Sequence, residues 1–446
     1  MENKMGVMPV NKLLISMSLP MMISMLVQAL YNVVDSIFVA KISEDALTAV
    51  SLAFPLQNLM IAIGAGTGVG INAILSKCLG EKNFKGADDS ANNGIFLAVL
   101  SWLIFVVIGI FGVVPFFQIQ TDNVTIREYG ITYSAIVAVG SIGAFFQMAF
   151  ERLLQSTGKT FYTMITQGTG AVVNIILDPI LIFGLLGMPK MGVAGAAVAT
   201  VIGQCVAALL AIFYNIRKNH EISLKIKGFR PHGKTIAKIY SVGIPSIIMI
   251  SIGSVMTYMI NQILMAFSST ATAVFGVYFK LQSFIFMPVF GLNNGLIPIL
   301  AYNYGARKKE RILEALKLAI LYAVCIMGIG TVIFQVAPEF LLSLFNASDD
   351  MLTIGVMALR RISLCFMFAG FCIILGSTFQ AFGEGIFSML VSIGRQLVVL
   401  IPVAYLLART GSVGNVWWAF PIAEIASVIL SIIFFRHTYH KCIKTL

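Results

Sequence analysis

The chain has 446 residues, of which 58% are hydrophobic and only 11% charged, with a net charge of +11 and a mean hydropathy of +0.92. An ordinary soluble domain carries about a quarter charged residues, so this composition excludes a water-soluble globular protein. The six cysteines are scattered without a CxxC pair and the four histidines lie in or beside basic segments, which argues against a metal centre and against an embedded histidine-dependent enzyme.

Apolar runs long enough to cross a bilayer core of ~30 Å recur along the whole chain. Helices are expected, because unpaired backbone groups cannot face lipid and no run shows barrel-type alternation. The first span, 13–39, is too long for a signal-peptide core and reads as a mature transmembrane helix. Within it Asp35 is the one charged residue, and Gln28, Tyr31, Asn32 and Asp35 form a polar stripe at spacings of three and four. Spans 46–76, 91–114 and 129–150 follow, the last ending at Glu151 and Arg152. Span 160–186 carries Asn174 and Asp178 four residues apart, hence on one face, with Pro179 directly after. Span 192–216 leads to the longest polar stretch, 217–234, read as a solvated connector. Spans 236–266, 272–300, 315–337, 351–379, 386–408 and 414–435 complete an expected twelve. In this second set the charged residues Lys280, Arg395 and Glu424 stand out, and span 236–266 offers Tyr258, Asn261 and Gln262 but no acid.

With the N-terminus placed in the cytoplasm, 22 of the 30 basic residues fall on inner segments. That asymmetry satisfies the positive-inside rule with both termini cytoplasmic. The cations read as inner-leaflet anchors, and a nucleic-acid partner is not expected.

Two halves of the sequence match at a fixed shift of 225 residues: Pro20 with Pro245, "FPLQ" (54–57) with "FKLQ" (279–282), and Gly80 with Gly305. "LLQSTGKTFYTM" (153–164) also matches "TFQAFGEGIFSM" (378–389) at that shift. The repeat unit is six helices, which preserves membrane orientation, so the halves are parallel repeats of the kind recurrent in transporters. The expected division is an N-terminal lobe 1–216, a connector 217–234 and a C-terminal lobe 235–446.

"YNVVDSIFVA" (31–40), "LLQSTGKT" (153–160) and "NIILDPILIFGLLGMPKMGVAGAAVAT" (174–200), set in this six-plus-six frame, resemble the multidrug and toxic compound extrusion (MATE) family and its MepA-like bacterial branch. The resemblance implies an all-α, twelve-helix bundle in two pseudo-symmetric lobes that exports organic cations in exchange for H⁺ or Na⁺. It implies the plasma membrane of a bacterium, small organic cations and lipids as partners, no cofactor beyond the transported ion, and a monomer. It also suggests Thr200 as a cation ligand. Other branches of the family place coupling acids in the C-terminal lobe, where this sequence has none on the matching helices.

A buried aspartate at mid-bilayer costs from ~2.5 kcal/mol upward unless a partner or a cavity relieves it. Asp35, Asn174 and Asp178, with Thr200, are therefore expected to form a cation-coupling site. Two carboxylates close together in a dry cavity cannot easily both be ionised, so the pair would carry a proton, and the same oxygen set suits Na⁺. No other metal is expected. Gln28, Tyr31, Asn32, Gln57, Gln147, Tyr258, Gln282 and Asn294 are candidate substrate contacts, each of which an interhelical hydrogen bond would equally explain. The alternative function is a lipid-linked precursor flippase of the same superfamily, for which a cationic cavity would be expected.

Overall fold

The computed structural model describes all 446 residues and is helical throughout. In the first repeat, a short α1 (Lys4–Val7) precedes α2 (Val10–Ala40), α3 (Glu44–Gly80) and α4 (Phe84–Val107). A π-helical turn, Ile108–Gly112, carries α4 into α5 (Val113–Gln120), so the third span reaches well beyond the expected 91–114. The fourth span is broken into α6 (Val124–Val139) and α7 (Ile142–Ser156), bent by 44° at Gly140 and Ser141. Then come α8 (Thr160–Phe183) and α9 (Val193–Lys218). Helix α8 runs through Pro179 for one more turn and ends at Gly184, whose φ of 71° suits a residue without a Cβ.

The second repeat contains α10 (Gly233–Met265), α11 (Ser269–Gly305), α12 (Lys309–Val336), α13 (Pro338–Ser343) and α14 (Asp349–Ile362). It continues through α15 (Phe366–Ala381), α16 (Gly385–Ile393), α17 (Ile401–Ala408), α18 (Val413–Val416) and α19 (Ala419–Thr438). Eleven helices are long and apolar enough to cross a membrane, and counting the bent α6–α7 pair as one span makes twelve.

The duplication extends to details of the backbone. Ser43 caps α3 by accepting from the Ala46 N–H at 3.0 Å, and Ser268, 225 residues on, caps α11 by accepting from Ala271 at 3.1 Å. Lys82 and Arg307, again 225 apart, both adopt φ of 58° in the turns that follow those helices.

The same shift relates two close helix contacts. Gly66 and Gly70 on α3 correspond to Gly291 and Gly295 on α11, each pair a GxxxG. A Cβ at Gly70 would lie 2.1 Å from the Ile239 carbonyl oxygen, and one at Gly66 2.8 Å from the Ile247 nitrogen, both on α10. On α11, a Cβ at Gly291 would meet Met22 backbone at 2.5 Å, and one at Gly295 would meet Ser18 backbone at 2.8 Å, both on α2. Small residues at this spacing let membrane helices approach backbone to backbone, where packing rather than the hydrophobic effect holds them.

These contacts explain how the chain divides. One compact unit comprises Met1 and residues 23–247; the other comprises residues 2–22 and 248–446. The first part of α2 thus packs with the second repeat, and the first part of α10 with the first. The exchange falls two residues after Pro20 and Pro245, a division different from the boundaries drawn at 216 and 235. In the second unit Asn303 donates to the Met5 carbonyl at 3.0 Å, Arg311 reaches the Met8 carbonyl at 2.7 Å, and Lys308 pairs with Glu2 at 3.0 Å.

Residues 217–234 are exposed for the most part but are not a loose tether. Ser223 and Lys225 donate backbone N–H groups to Asp88 and Asn92 at 2.7 and 2.9 Å, and His232 donates to Asn93 at 3.0 Å. The start of α4 therefore holds a connector that is otherwise solvated.

Candidate functional site

The strongest polar cluster lies in the first unit, where α2, α8 and α9 converge. Asp178 is fully buried and Asn174 nearly so, because the apolar face of α8 lies elsewhere and its small and polar residues Thr163, Thr166, Gly170, Asn174 and Asp178 all turn inward. Gly170 lets α8 approach α9 closely: a Cβ there would meet the Gly203 carbonyl oxygen at 3.0 Å. One turn away on α9 stands Thr200, 5% exposed.

Asn174 is satisfied at both ends of its amide in one orientation. Its Nδ2 then donates to the two Asp178 oxygens at 3.2 and 3.0 Å, while its Oδ1 accepts from Thr200 Oγ1 at 3.3 Å and from Tyr31 OH at 2.9 Å. Thr200 Oγ1 also lies 3.0 Å from the Ala196 carbonyl, so its single proton serves one acceptor at a time. Asp35 and Asp178 approach within hydrogen-bonding distance of each other. A bond between two carboxyl groups exists only when a proton lies between them. Asp35 Oδ1 is enclosed with no donor from the protein facing it. An enclosed carboxylate oxygen of that kind calls for a proton or a cation. Carboxylate, amide and hydroxyl oxygens of Asp35, Asp178, Asn174, Thr200 and Tyr31 make a donor set that fits Na⁺ as well. Pro179 adds one more oxygen without a helical donor, since it lacks the N–H that the Ile175 carbonyl would accept.

Tyr133 on α6, 2% exposed, completes the neighbourhood: it stands close enough to feel the charge of Asp35, and its OH accepts from Gln57 Nε2 at 2.9 Å. Sequence reading missed it, because a tyrosine in an apolar helix gives no signal. Gln57, a candidate substrate contact, makes this hydrogen bond to Tyr133.

The other candidates fall in different places. Gln28 and Asn32 are exposed along α2, so the stripe narrows to Tyr31 and Asp35, which share a face at i and i+4. Gln147 donates to Glu151 at 3.1 Å. In the second unit Tyr258 is 65% exposed, Gln282 accepts from Tyr278 OH at 3.2 Å, and Asn294 is half-buried.

Charges left open by the sequence also find places. Glu151 accepts from Thr166 at 2.7 Å, Gln167 at 2.8 Å and Gln147 at 3.1 Å, all neutral donors. Arg152 Nη1 donates to Gln155 at 3.1 Å. Lys280 lies over the Phe345 ring, and Glu384 pairs with Lys441. Arg395 and Glu424, 29 residues apart, form an ion pair at 3.4 Å with Glu424 buried. By the 225-residue shift Arg395 corresponds to Gly170, and Glu424 to Ala199 beside Thr200. The second unit thus holds a self-neutralised pair near the counterparts of Gly170 and Thr200, and it has Ile260 and Val403 at the positions of Asp35 and Asp178.

Replacing Glu424 by Gln leaves the Arg395 cation without its partner. We expect a loss of about 1–3 kcal/mol, below the full cost of breaking a buried pair because Arg395 is partly exposed. A lowered melting temperature in detergent checks this, and a double variant, R395M/E424M, should recover most of it.

This is a polytopic, all-helical membrane protein with a duplicated architecture and a buried acid pair in one half. The MatE family model matches residues 20–180 and 245–406, one stretch in each repeat. The chain belongs to that family, the MATE multidrug transporters. It is similar to the multidrug export protein MepA of Staphylococcus haemolyticus, 27% identical over 421 residues, covering 94% of this chain and 92% of that protein. MepA of Staphylococcus aureus is 26% identical, covering 93% of this chain and 91% of the relative. Among solved structures it resembles an outward-facing multidrug resistance MATE transporter of the MOP superfamily, with TM-score 0.92, 25% identity and 99% of each chain covered. It also resembles a MOP-superfamily transporter of Pyrococcus furiosus whose reversed binding-pocket polarity suggests a different function, with TM-score 0.89, 26% identity and 97% of each chain covered.

Proposed function

We propose that the chain is a secondary active multidrug exporter that exchanges hydrophobic organic cations for H⁺ or Na⁺ by alternating access between its two six-helix lobes. The observation that carries this reading is the Asp35–Asp178 contact with an enclosed Asp35 oxygen that no protein donor satisfies. The cation enters at that pair from outside and is released to the cytoplasm in the return step. Asn174 donates to the Asp178 carboxyl and is itself held by Tyr31 and Thr200, and a change in occupancy at the pair is felt by α2, which carries Tyr31 and Asp35. Coupling needs only that ion and drug favour different states, by ~1–3 kcal/mol. The names of the relatives, multidrug export proteins, support the cargo class.

The flippase reading is less well supported. Arg395, partly exposed in the second unit, is neutralised by Glu424, whereas a pyrophosphate site would leave cations free.

Everted vesicles containing the chain test the proposal. Ethidium movement should respond to an imposed pH gradient or an imposed Na⁺ gradient, each applied alone. A response to neither overturns the antiport reading.

A further inference from the structure

The inward face of α8 does not stop at the acid pair. It continues from Asp178 and Asn174 through Gly170 to Gln167, Thr166 and Thr163, and there meets Glu151 of α7. Gln167 lies seven residues from Asn174, about 10 Å of helix rise. Glu151 is 3% exposed and is a full participant in hydrogen bonding, yet its three side-chain donors are all uncharged. Its charged neighbour is Arg152 on its own helix, whose guanidinium reaches Gln155 and whose stem packs on Gly68 of α3. From α8 it meets only Thr163, Thr166 and Gln167, and α9 presents Asn215 to the adjoining Phe150 carbonyl. A carboxylate kept in the apolar interior and hydrogen-bonded only to neutral donors is costly.

Two further atoms mark the stretch between the sites. Gln167 Oε1 and Gln204 Oε1 are both enclosed without a hydrogen-bond donor from the protein. Gln204 follows Thr200 by one turn on the same face of α9, and Gln167 already donates its Nε2 to Glu151. Gln167 is thereby held at Glu151, and both glutamines offer an enclosed acceptor that no protein donor fills. Enclosed polar acceptors of this kind are the usual lodging of ordered water.

We propose that Glu151 is a second proton station, linked to the Asp35–Asp178 pair by a hydrated polar track along Gln204 and Gln167, and that it delivers the coupling proton to the cytoplasmic side. This rests on the antiport reading, with H⁺ as the coupling ion. In the step, the proton leaves the aspartate pair, passes along water and binds the Glu151 carboxylate, and an equal proton then leaves Glu151 to the cytoplasm. No other bond forms or breaks.

The test uses everted vesicles of the full chain, where the bath is the cytoplasmic side, with ethidium as the probe. In wild type the initial rate should depend on bath pH. Glu151→Gln should slow pH-gradient-driven transport by at least about 10-fold, the low side of what a positioned proton-transfer group contributes, and should flatten the bath-pH profile. Ethidium affinity of the purified variant should stay unchanged, and Glu151→Asp should restore the profile. Gln204→Leu, remote from Glu151's own hydrogen bonds, should slow transport with the profile retained, and it decides the matter should Glu151→Gln not fold. A Glu151→Gln variant with wild-type rate, or one slowed with an unaltered pH profile, overturns the relay. So does wild-type transport driven by Na⁺ alone, which leaves antiport itself standing. Normal transport by Asp35→Asn would instead remove the antiport site, whatever Glu151 does.

Discussion

Asp35→Asn is expected to abolish gradient-driven export while leaving the protein folded in the membrane. Asparagine keeps the size and the polarity of the side chain but cannot take up or give back a proton. It also removes the negative charge that would hold Na⁺ beside Asp178. Helix α2 tolerates the change, because Asp35 contributes no packing that Asn lacks and its Oδ1 receives no protein donor. The loss should therefore fall on coupling and not on stability. Coupling free energies of ~1–3 kcal/mol correspond to roughly 5–150-fold, so drug accumulation ratios should fall toward the value of empty vesicles. Immunoblotting of membranes and a thermal melt supply the control. Asp178→Asn should resemble it functionally but cost some stability, since Asn174 Nδ2 would then face a mixed donor and acceptor where it now finds two carboxylate oxygens.

The second large effect is expected at Gly70. Substitution by alanine adds one methyl group, normally a helix-favouring change. Here that methyl would lie 2.1 Å from the Ile239 carbonyl oxygen, and a backbone atom cannot rotate away as a side-chain tip can. Helices α3 and α10 must separate, at the upper end of the ~1–3 kcal/mol typical of overpacking. Gly295→Ala, at the equivalent place in the second repeat, should behave alike, since Ser18 backbone lies 2.8 Å from the added carbon. Size-exclusion profiles and melting temperatures of the two variants check this. By contrast Gly187→Ala, with nothing within 4 Å but a φ of 78°, should cost only its backbone strain. Equal behaviour of all three variants would contradict the close-approach account.

The acid pair could be read from sequence because its signals are local. A single aspartate in an apolar run is conspicuous, and an Asn–x₃–Asp spacing fixes a shared helical face. Thr200 came from family resemblance and lies within reach of Asn174, at 3.3 Å. Gln28 and Asn32 were grouped with Asp35 because spacings of three and four both count as neighbours, yet a stripe of four residues covers a wide arc, and only Tyr31 and Asp35 point at α8. Tyr133 and the Arg395–Glu424 pair depend on contacts between distant helices, for which no local pattern exists. The duplication was visible in the matched blocks. The paired GxxxG contacts stand at the same shift of 225 but give no distinct signal, because glycines in apolar helices are common in membranes. The exchange of helix beginnings between units is not legible at all. Pro20 and Pro245 lie inside continuous helices, and only the packing partners of those helices change just beyond them.

Glu151 illustrates a related limit. Beside Arg152 it invites a salt bridge on sequence grounds, but successive residues on a helix point in directions about 100° apart. Two of its three side-chain hydrogen bonds are therefore made across to α8, to the same face that bears Asn174 and Asp178, and the third comes from Gln147 on its own helix.

The central claim is that the first repeat alone binds the coupling cation, at Asp35 and Asp178, in competition with drug. Purified protein in weakly buffered detergent, titrated with ethidium, tests it most directly when released H⁺ is followed with an indicator dye and bound ²²Na⁺ by filtration. Wild type should release one of the two ions as ethidium binds. Asp35→Asn should bind ethidium and release neither, and E424Q should release the ion as wild type does. Equal ion release from wild type and Asp35→Asn would contradict the claim.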